Sequence, residues 1–328
     1  MKKHTIAVLF IFLMILSSCG ESTTLAPTVT ITPAITKTPA ITKTPAATVT
    51  PAATVTPAFD PDEVGMYFGQ KPPGMIPEVF APGFISTPDD MEYACTFTPD
   101  GKEFYYSVNK GKTEDPVIMV SRWKDGQWTV PEKLDIQAEG LYTEPHVTRD
   151  GQTLYFGGNL TLQGEEIKRR GIWRLNRDGD SWSGLSYVTD GMYVTTTDDG
   201  SIYLTDVFGT RALVKLPFNG TGFDEPIVLE GGPNYPMHGV HPCVAPDESF
   251  IIFDHDRSDG SEGDLFVSFN NGDGTWSESF DLGDTINSSG IEFCASLSPD
   301  GKYIFFMKDF DIYWVDVRII DPFRSTGE

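Results

Sequence analysis

The sequence predicts an all-β fold, a single β-propeller of five four-stranded blades closed by an N-terminal strand that completes the last blade. Three observations predict it. An apolar stretch runs five times into a Pro-Asp-Gly-like turn and out into an aromatic, β-branched stretch, with turn aspartates at Asp100, Asp150, Asp199, Asp247 and Asp300, 48 to 53 residues apart. A period of that length holding only strand and turn patterns fits one four-stranded blade. The fifth repeat ends without an outer strand, whereas Ile76-Pro77-Glu78-Val79-Phe80, ahead of the first repeat, matches the outer-strand run Val130-Pro131-Glu132-Lys133-Leu134.

The first repeat sets the order of elements. Residues 93–98 read as an inner strand, 99–102 as a tight turn and 103–108 as a second strand rich in aromatics. Residues 117–123 make a third strand, Asp125-Gly126 a hairpin turn, and 128–134 an outer strand whose Pro131 an edge position tolerates. The other repeats reproduce this order. Trp128, Trp182, Phe223 and Trp276 each stand just after a Gly-containing turn at the start of an outer strand, which marks them as packing residues. In the fifth repeat the third strand, 311–317, is the last, so residues 76–80 supply the missing strand, remove an open sheet edge and join the ends of the ring noncovalently.

The run Ser298-Pro299-Asp300-Gly301-Lys302-Tyr303-Ile304-Phe305-Phe306 resembles the TolB-type propeller repeat, and the resemblance extends over residues 75–320. It departs from the pattern at Asp198-Asp199 in the third repeat and at Glu248, which replaces the turn glycine in the fourth. The family includes periplasmic interaction proteins, peptidase-associated propellers and lipoproteins, so the resemblance implies a fold more than an activity.

Residues 1–18 have the pattern of a signal peptide: Lys2 and Lys3, then an apolar run from Ile6 to Leu16 too short to span a bilayer. Leu16-Ser17-Ser18-Cys19 resembles a bacterial lipoprotein lipobox, which implies cleavage before Cys19 and its lipidation. Residues 19–58 continue as a stalk with Thr-Pro pairs every sixth residue from Thr32 to Thr56. In extended polyproline-like geometry such a stalk reaches roughly 120 Å at about 3.1 Å per residue. The propeller occupies 59–328. The expected location is extracytoplasmic, as a membrane-anchored lipoprotein at the cell surface or in the periplasm.

A net charge of −23 makes nucleic acid and anionic membrane surfaces poor partners. The chain carries no Gly-x-Ser-x-Gly elbow, Walker loop or dinucleotide fingerprint. Beyond Cys19 the cysteines are Cys95, Cys243 and Cys294, which read as small buried thiols. Strict strand alternation puts Cys243 and Cys294 on one kind of face and Cys95 on the other.

Long nonrepeating connections, 109–116, 159–171, 230–240 and 254–264, fall on one face of the ring, and binding is expected there. Inner strands begin on that face. Their early residues Glu92, Tyr142, Glu144, His146, His238, His241 and Glu292 are therefore the candidates for the channel mouth. Glu92 and Glu292 both stand eight residues before a turn aspartate; they either converge as paired carboxylates, for acid–base work or calcium, or pair with neighbouring backbone amides. The stretch from Asp254 through Asp256 and Asp259 to Glu262 reads either as a solvated acidic loop or as a calcium site without EF-hand spacing. Two functions fit: a binding or interaction scaffold in the cell envelope, taking a protein, peptide or glycan, or a carbohydrate-active enzyme using channel carboxylates.

Overall fold

The structure, a computed structural model, describes residues 65–162, 168–255 and 263–324. Cys19, the stalk, Asp256 and Asp259 lie outside the described residues. One short strand, β1 (Glu78–Val79), precedes the first blade, which holds β2 (Met91–Phe97), β3 (Glu103–Asn109), β4 (Val117–Lys124), β5 (Gln127–Trp128) and β6 (Glu132–Lys133). The second holds β7 (Glu139–Val147), β8 (Thr153–Thr161), β9 (Arg169–Asp178) and β10 (Ser181–Thr189). The third holds β11 (Met192–Thr196), β12 (Ile202–Thr205), β13 (Leu213–Leu216) and β14 (Ile227–Val228). The fourth holds β15 (Val240–Val244), β16 (Phe250–His255), β17 (Asp264–Phe269) and β18 (Phe280–Asp281). The fifth holds β19 (Glu292–Leu297), β20 (Tyr303–Lys308) and β21 (Asp311–Asp316), and β1 is its outer strand.

This is the five-bladed propeller that the repeat predicts, and the ring closes as expected. Glu78 pairs with Trp314 and Val79 with Tyr313. Next to that pairing Phe80, fully buried, packs against Phe97 and Phe104 of the first blade and Phe305 and Trp314 of the fifth. The remaining core is distributed in the same way, as apolar layers between facing blades. Tyr105, Val120, Leu154 and Trp173 join the first blade to the second, and Cys243, Ile252, Ala295 and Phe306 join the fourth to the fifth.

The turn chemistry explains why aspartate recurs. In four repeats a hydroxyl two residues earlier donates to the aspartate Oδ1: Thr98 to Asp100, Thr148 to Asp150 and Thr197 to Asp199 at 2.6 Å, and Ser298 to Asp300 at 2.7 Å. The same oxygen accepts the backbone N–H two residues on, as from Gln152 at 2.9 Å, a local bond that fixes the turn. The glycine that follows is left-handed, as at Gly101 with φ +68°. Glu248 holds that conformation with φ +60°. Its carboxylate accepts the Tyr203 hydroxyl at 2.6 Å and Lys215 Nζ at 2.5 Å, tying the turn to the third blade.

Outer-strand length varies between blades, from nine residues in β10 to two in β14 and β18. In the first blade the predicted strand is split into β5 and β6, because Pro131 has no N–H to donate and the neighbouring Val130 is 80% exposed. The aromatics that open these segments do pack as read: Trp182 is buried and donates from Nε1 to the Tyr105 hydroxyl of the preceding blade at 2.8 Å.

Candidate functional site at the channel centre

Every inner strand carries one extra residue at the same place. Six residues before each turn aspartate stand Ala94, Glu144, Tyr193, His241 and Cys294, and all five are left-handed, with φ between +46° and +60°. Pairing with the second strand slips at each of them, from Tyr93/Cys95 in the first blade to Phe293/Ser296 in the fifth. These are β-bulges, which bend a strand and re-aim a side chain. Ala94 shares the conformation, so the bulge belongs to the repeat; the chemistry lies in which side chain each bulge carries.

Four of those side chains meet. His241 Nε2 lies 3.9 Å from Glu144 Oε1, although their blades, the fourth and the second, are not neighbours, so the contact crosses the ring axis. Glu144 O, His241 N and Cys294 Sγ lie within 4.8 Å of one another. Tyr193 packs edge-on against the imidazole, centroids 5.2 Å apart, and its hydroxyl donates to the Ala295 carbonyl at 2.5 Å. That bond runs from the third blade to the fifth, one residue beyond Cys294, and ties the two blades together beside the cluster.

A second layer holds these groups. Asp254, on β16, places both oxygens 3.0 Å from His241 Nδ1, and its Oδ1 also accepts the backbone N–H of Cys294 at 3.2 Å. Glu144 Oε2 accepts the backbone N–H of Tyr193 at 3.1 Å, while the Glu144 N–H donates to Ser107 Oγ at 2.8 Å. Gly157 leaves room for that carboxylate: a Cβ there would sit 3.1 Å from Oε2. Burial pushes the Glu144 carboxyl above its ordinary value. Burial alone would lower His241, but the Asp254 and then the Glu144 carboxylates outweigh it and hold the imidazole above its ordinary value. The Cys294 thiol is pushed well up by burial and then by both carboxylates.

The other predicted residues are placed differently. Glu92 and Glu292 do not converge: each is buried and folded back on its own approach loop. Glu92 accepts Thr87 N–H at 3.3 Å and the Thr87 hydroxyl at 2.8 Å; Glu292 accepts Ser288 N–H at 3.1 Å and its hydroxyl at 2.5 Å, with Lys308 Nζ at 3.4 Å. Of the two readings of this pair, the backbone amides have it. Burial raises Glu92 to about 7. Tyr142 is a core residue whose hydroxyl donates to the Leu134 carbonyl at 2.8 Å. His146 pairs through Nε2 with Thr196 Oγ1 at 2.9 Å, across to the third blade, and burial lowers it to about 4. His238 is exposed on the connection into β15, apart from buried His241. Asp254 faces inward to His241 rather than into the acidic loop, whose Asp256 and Asp259 are not described.

Strict strand alternation groups Cys294 with Cys243, and the bulges undo that grouping. Cys243 lies in the apolar layer between the fourth and fifth blades, and Cys294 stands at the channel centre. The signal that would have found the cluster was the constant offset of six residues from each turn aspartate.

No family model matches the chain, and no curated protein matches it in sequence. Solved structures do resemble it. A gluconolactonase from Xanthomonas campestris is 10% identical, with a TM-score of 0.45 over 74% of this chain and 90% of that one. A TolB-like protein from Agrobacterium tumefaciens is 17% identical, with a TM-score of 0.43 over 70% of this chain and 78% of that one. The catalytic domain of an α-L-arabinofuranosidase from Coprinopsis cinerea is 10% identical, with a TM-score of 0.45 over 74% of this chain and 97% of that one. At these identities the likeness concerns the fold.

Proposed function

We propose that this propeller is a binding module of the cell envelope, carried on a lipid-anchored stalk, which receives a protein, peptide or glycan ligand at the channel mouth above Glu144, His241 and Cys294. The observation that carries the reading is the convergence of titratable side chains from three blades on one point of a rigid ring, which is how propellers expose specific chemistry on an otherwise repetitive scaffold. Positive charge also lies within reach of the cluster. Arg170, at the start of β9, lies over the Phe208 ring of the third blade, 5.4 Å from its centroid, and acts through space on Glu144. The carbohydrate-active alternative rests on the channel carboxylates Glu92, Glu144 and Glu292; Glu92 and Glu292 are each bound to their own loop, which leaves it Glu144 alone at the central cluster.

The test is a thermal-shift screen of the full chain against cell-wall peptides and oligosaccharides, repeated on Glu144→Gln. A ligand at a hundred times its dissociation constant adds about 2.7 kcal/mol to the stability of the wild type, and the shift falls in the variant. No shift with either class, together with no envelope protein captured by cell-surface crosslinking, overturns the reading. Cys19→Ala tests the anchor: the protein should leave the membrane fraction, and retention there with acyl label sinks the lipoprotein assignment.

A further inference from the structure

Three donor atoms at the channel centre face one another without a hydrogen bond among the described residues. They are Nε2 of His241, a side chain 9% exposed, Oε1 of Glu144 and Sγ of Cys294. The rest of each residue is tied down: His241 Nδ1 by Asp254, Glu144 Oε2 by the Tyr193 amide, and the Cys294 amide by Asp254. His241 and Glu144 keep a sliver of exposure, 9% and 11% of their side chains, and their 3.9 Å contact is too long for a hydrogen bond, so the three atoms form an open donor set of a size that one ion would bridge. We propose that Glu144, His241 and Cys294 are the ligands of a divalent transition-metal ion of the zinc class.

The geometry is nearly that of the loaded site. Bonds of roughly 2.0 to 2.3 Å in a tetrahedron put ligand atoms about 3.3 to 3.8 Å apart. The observed 3.9 Å between His241 and Glu144, and the 4.8 Å limit for the set, close to those values by small side-chain rotations. Nitrogen, carboxylate oxygen and sulfur together select zinc-like ions over calcium and magnesium, which take oxygen. Asp254 on His241 Nδ1 is the carboxylate that orients a metal-bound imidazole and fixes which nitrogen is free. On loading, the Nε2 and thiol protons leave to solvent. Three protein ligands are one short of a tetrahedral set, and the proposed envelope ligand or water would supply the fourth.

This inference deepens the binding-module reading and rests on the same mouth, yet the two fail separately. The full chain, stripped with a chelator, is titrated with Co²⁺ and then with Zn²⁺ and Ca²⁺. One equivalent of Co²⁺ with a thiolate-to-cobalt charge-transfer band, displaced by Zn²⁺ and not by Ca²⁺, is expected. Absence of the band in the unmodified protein overturns the proposal without any substitution. Cys294→Ser should abolish the band, His241→Gln should weaken Zn²⁺ binding at least a hundredfold, and Asp254→Asn should weaken it 10- to 100-fold. Unchanged binding in Cys294→Ser and His241→Gln also overturns it. Metal bound with no envelope ligand leaves this site standing and removes the binding module; an envelope ligand without metal does the reverse.

Discussion

Asp254 grips His241 with both carboxylate oxygens at 3.0 Å from Nδ1, and the same carboxylate receives the amide of Cys294. One second-strand residue therefore positions side chains from two blades. Asp254→Ala leaves a buried imidazole without its counter-charge, and such a loss costs about 3–5 kcal/mol. Urea unfolding should show it, with a smaller effect for Asp254→Asn; a loss under about 1 kcal/mol would mean that the pair does not hold the site. The sign with pH follows from the raised His241 value. The folded protein binds that proton more tightly than the unfolded chain, so the contribution is full below pH 6.5 and is lost as the pH climbs through the raised value.

His146 should behave oppositely. Its folded value, lowered to about 4, makes its contribution present above pH 6.5 and lost as the pH falls toward 4, by up to roughly 3 kcal/mol. Stability measured across that window should be flatter in His146→Gln than in the wild type. Parallel curves would contradict a neutral buried imidazole.

Glu92, raised to about 7, is a carboxyl that folding prefers protonated. Its contribution is greatest below pH 4.5 and declines as the pH rises toward 7. Relative to Glu92→Gln, the wild type should lose stability over that interval. Identical pH profiles would show that the carboxylate is as well accommodated folded as unfolded.

Phe80→Ala opens a cavity where the first and fifth blades meet. Truncating a buried phenylalanine costs about 3–5 kcal/mol. Hydrogen exchange should show lost protection concentrated in β1 and β21. Uniform loss across all blades would argue against a local closure.

Gly157→Ala probes the channel centre without replacing a ligand. Its Cβ would stand 3.1 Å from Glu144 Oε2 and displace the carboxylate. The melting temperature should change by a few degrees while Co²⁺ affinity falls at least tenfold; unchanged affinity would remove Glu144 from the ligand set.

The blades and the closing strand were legible because both depend on local chemistry. A Thr or Ser two residues before an Asp, then Gly, specifies its turn by itself, and the match of Glu78-Val79 to Glu132-Lys133 is visible in the letters. The channel centre was only partly legible. Glu144 and His241 stand among the sequence candidates, but a shared offset of eight residues from the turn aspartate favours Glu92 and Glu292, and counting by two along a strand groups Cys294 with Cys243. Left-handed Ala, Glu, Tyr, His and Cys leave no trace in composition, since glycine is the usual mark of that conformation. The bulge is set by the ring rather than by the residue that occupies it.

The pairing of β1 with β21 also fixes an order of events. During synthesis the first strand to emerge is the last to find its partner, and until residues 311–316 are made both sheet edges at the seam stay open. Such distant pairing is slow, and in that interval β1 of one copy can enter the fifth blade of another. The turn-rich blades can form as they emerge, so the seam is where two nascent molecules would exchange strands.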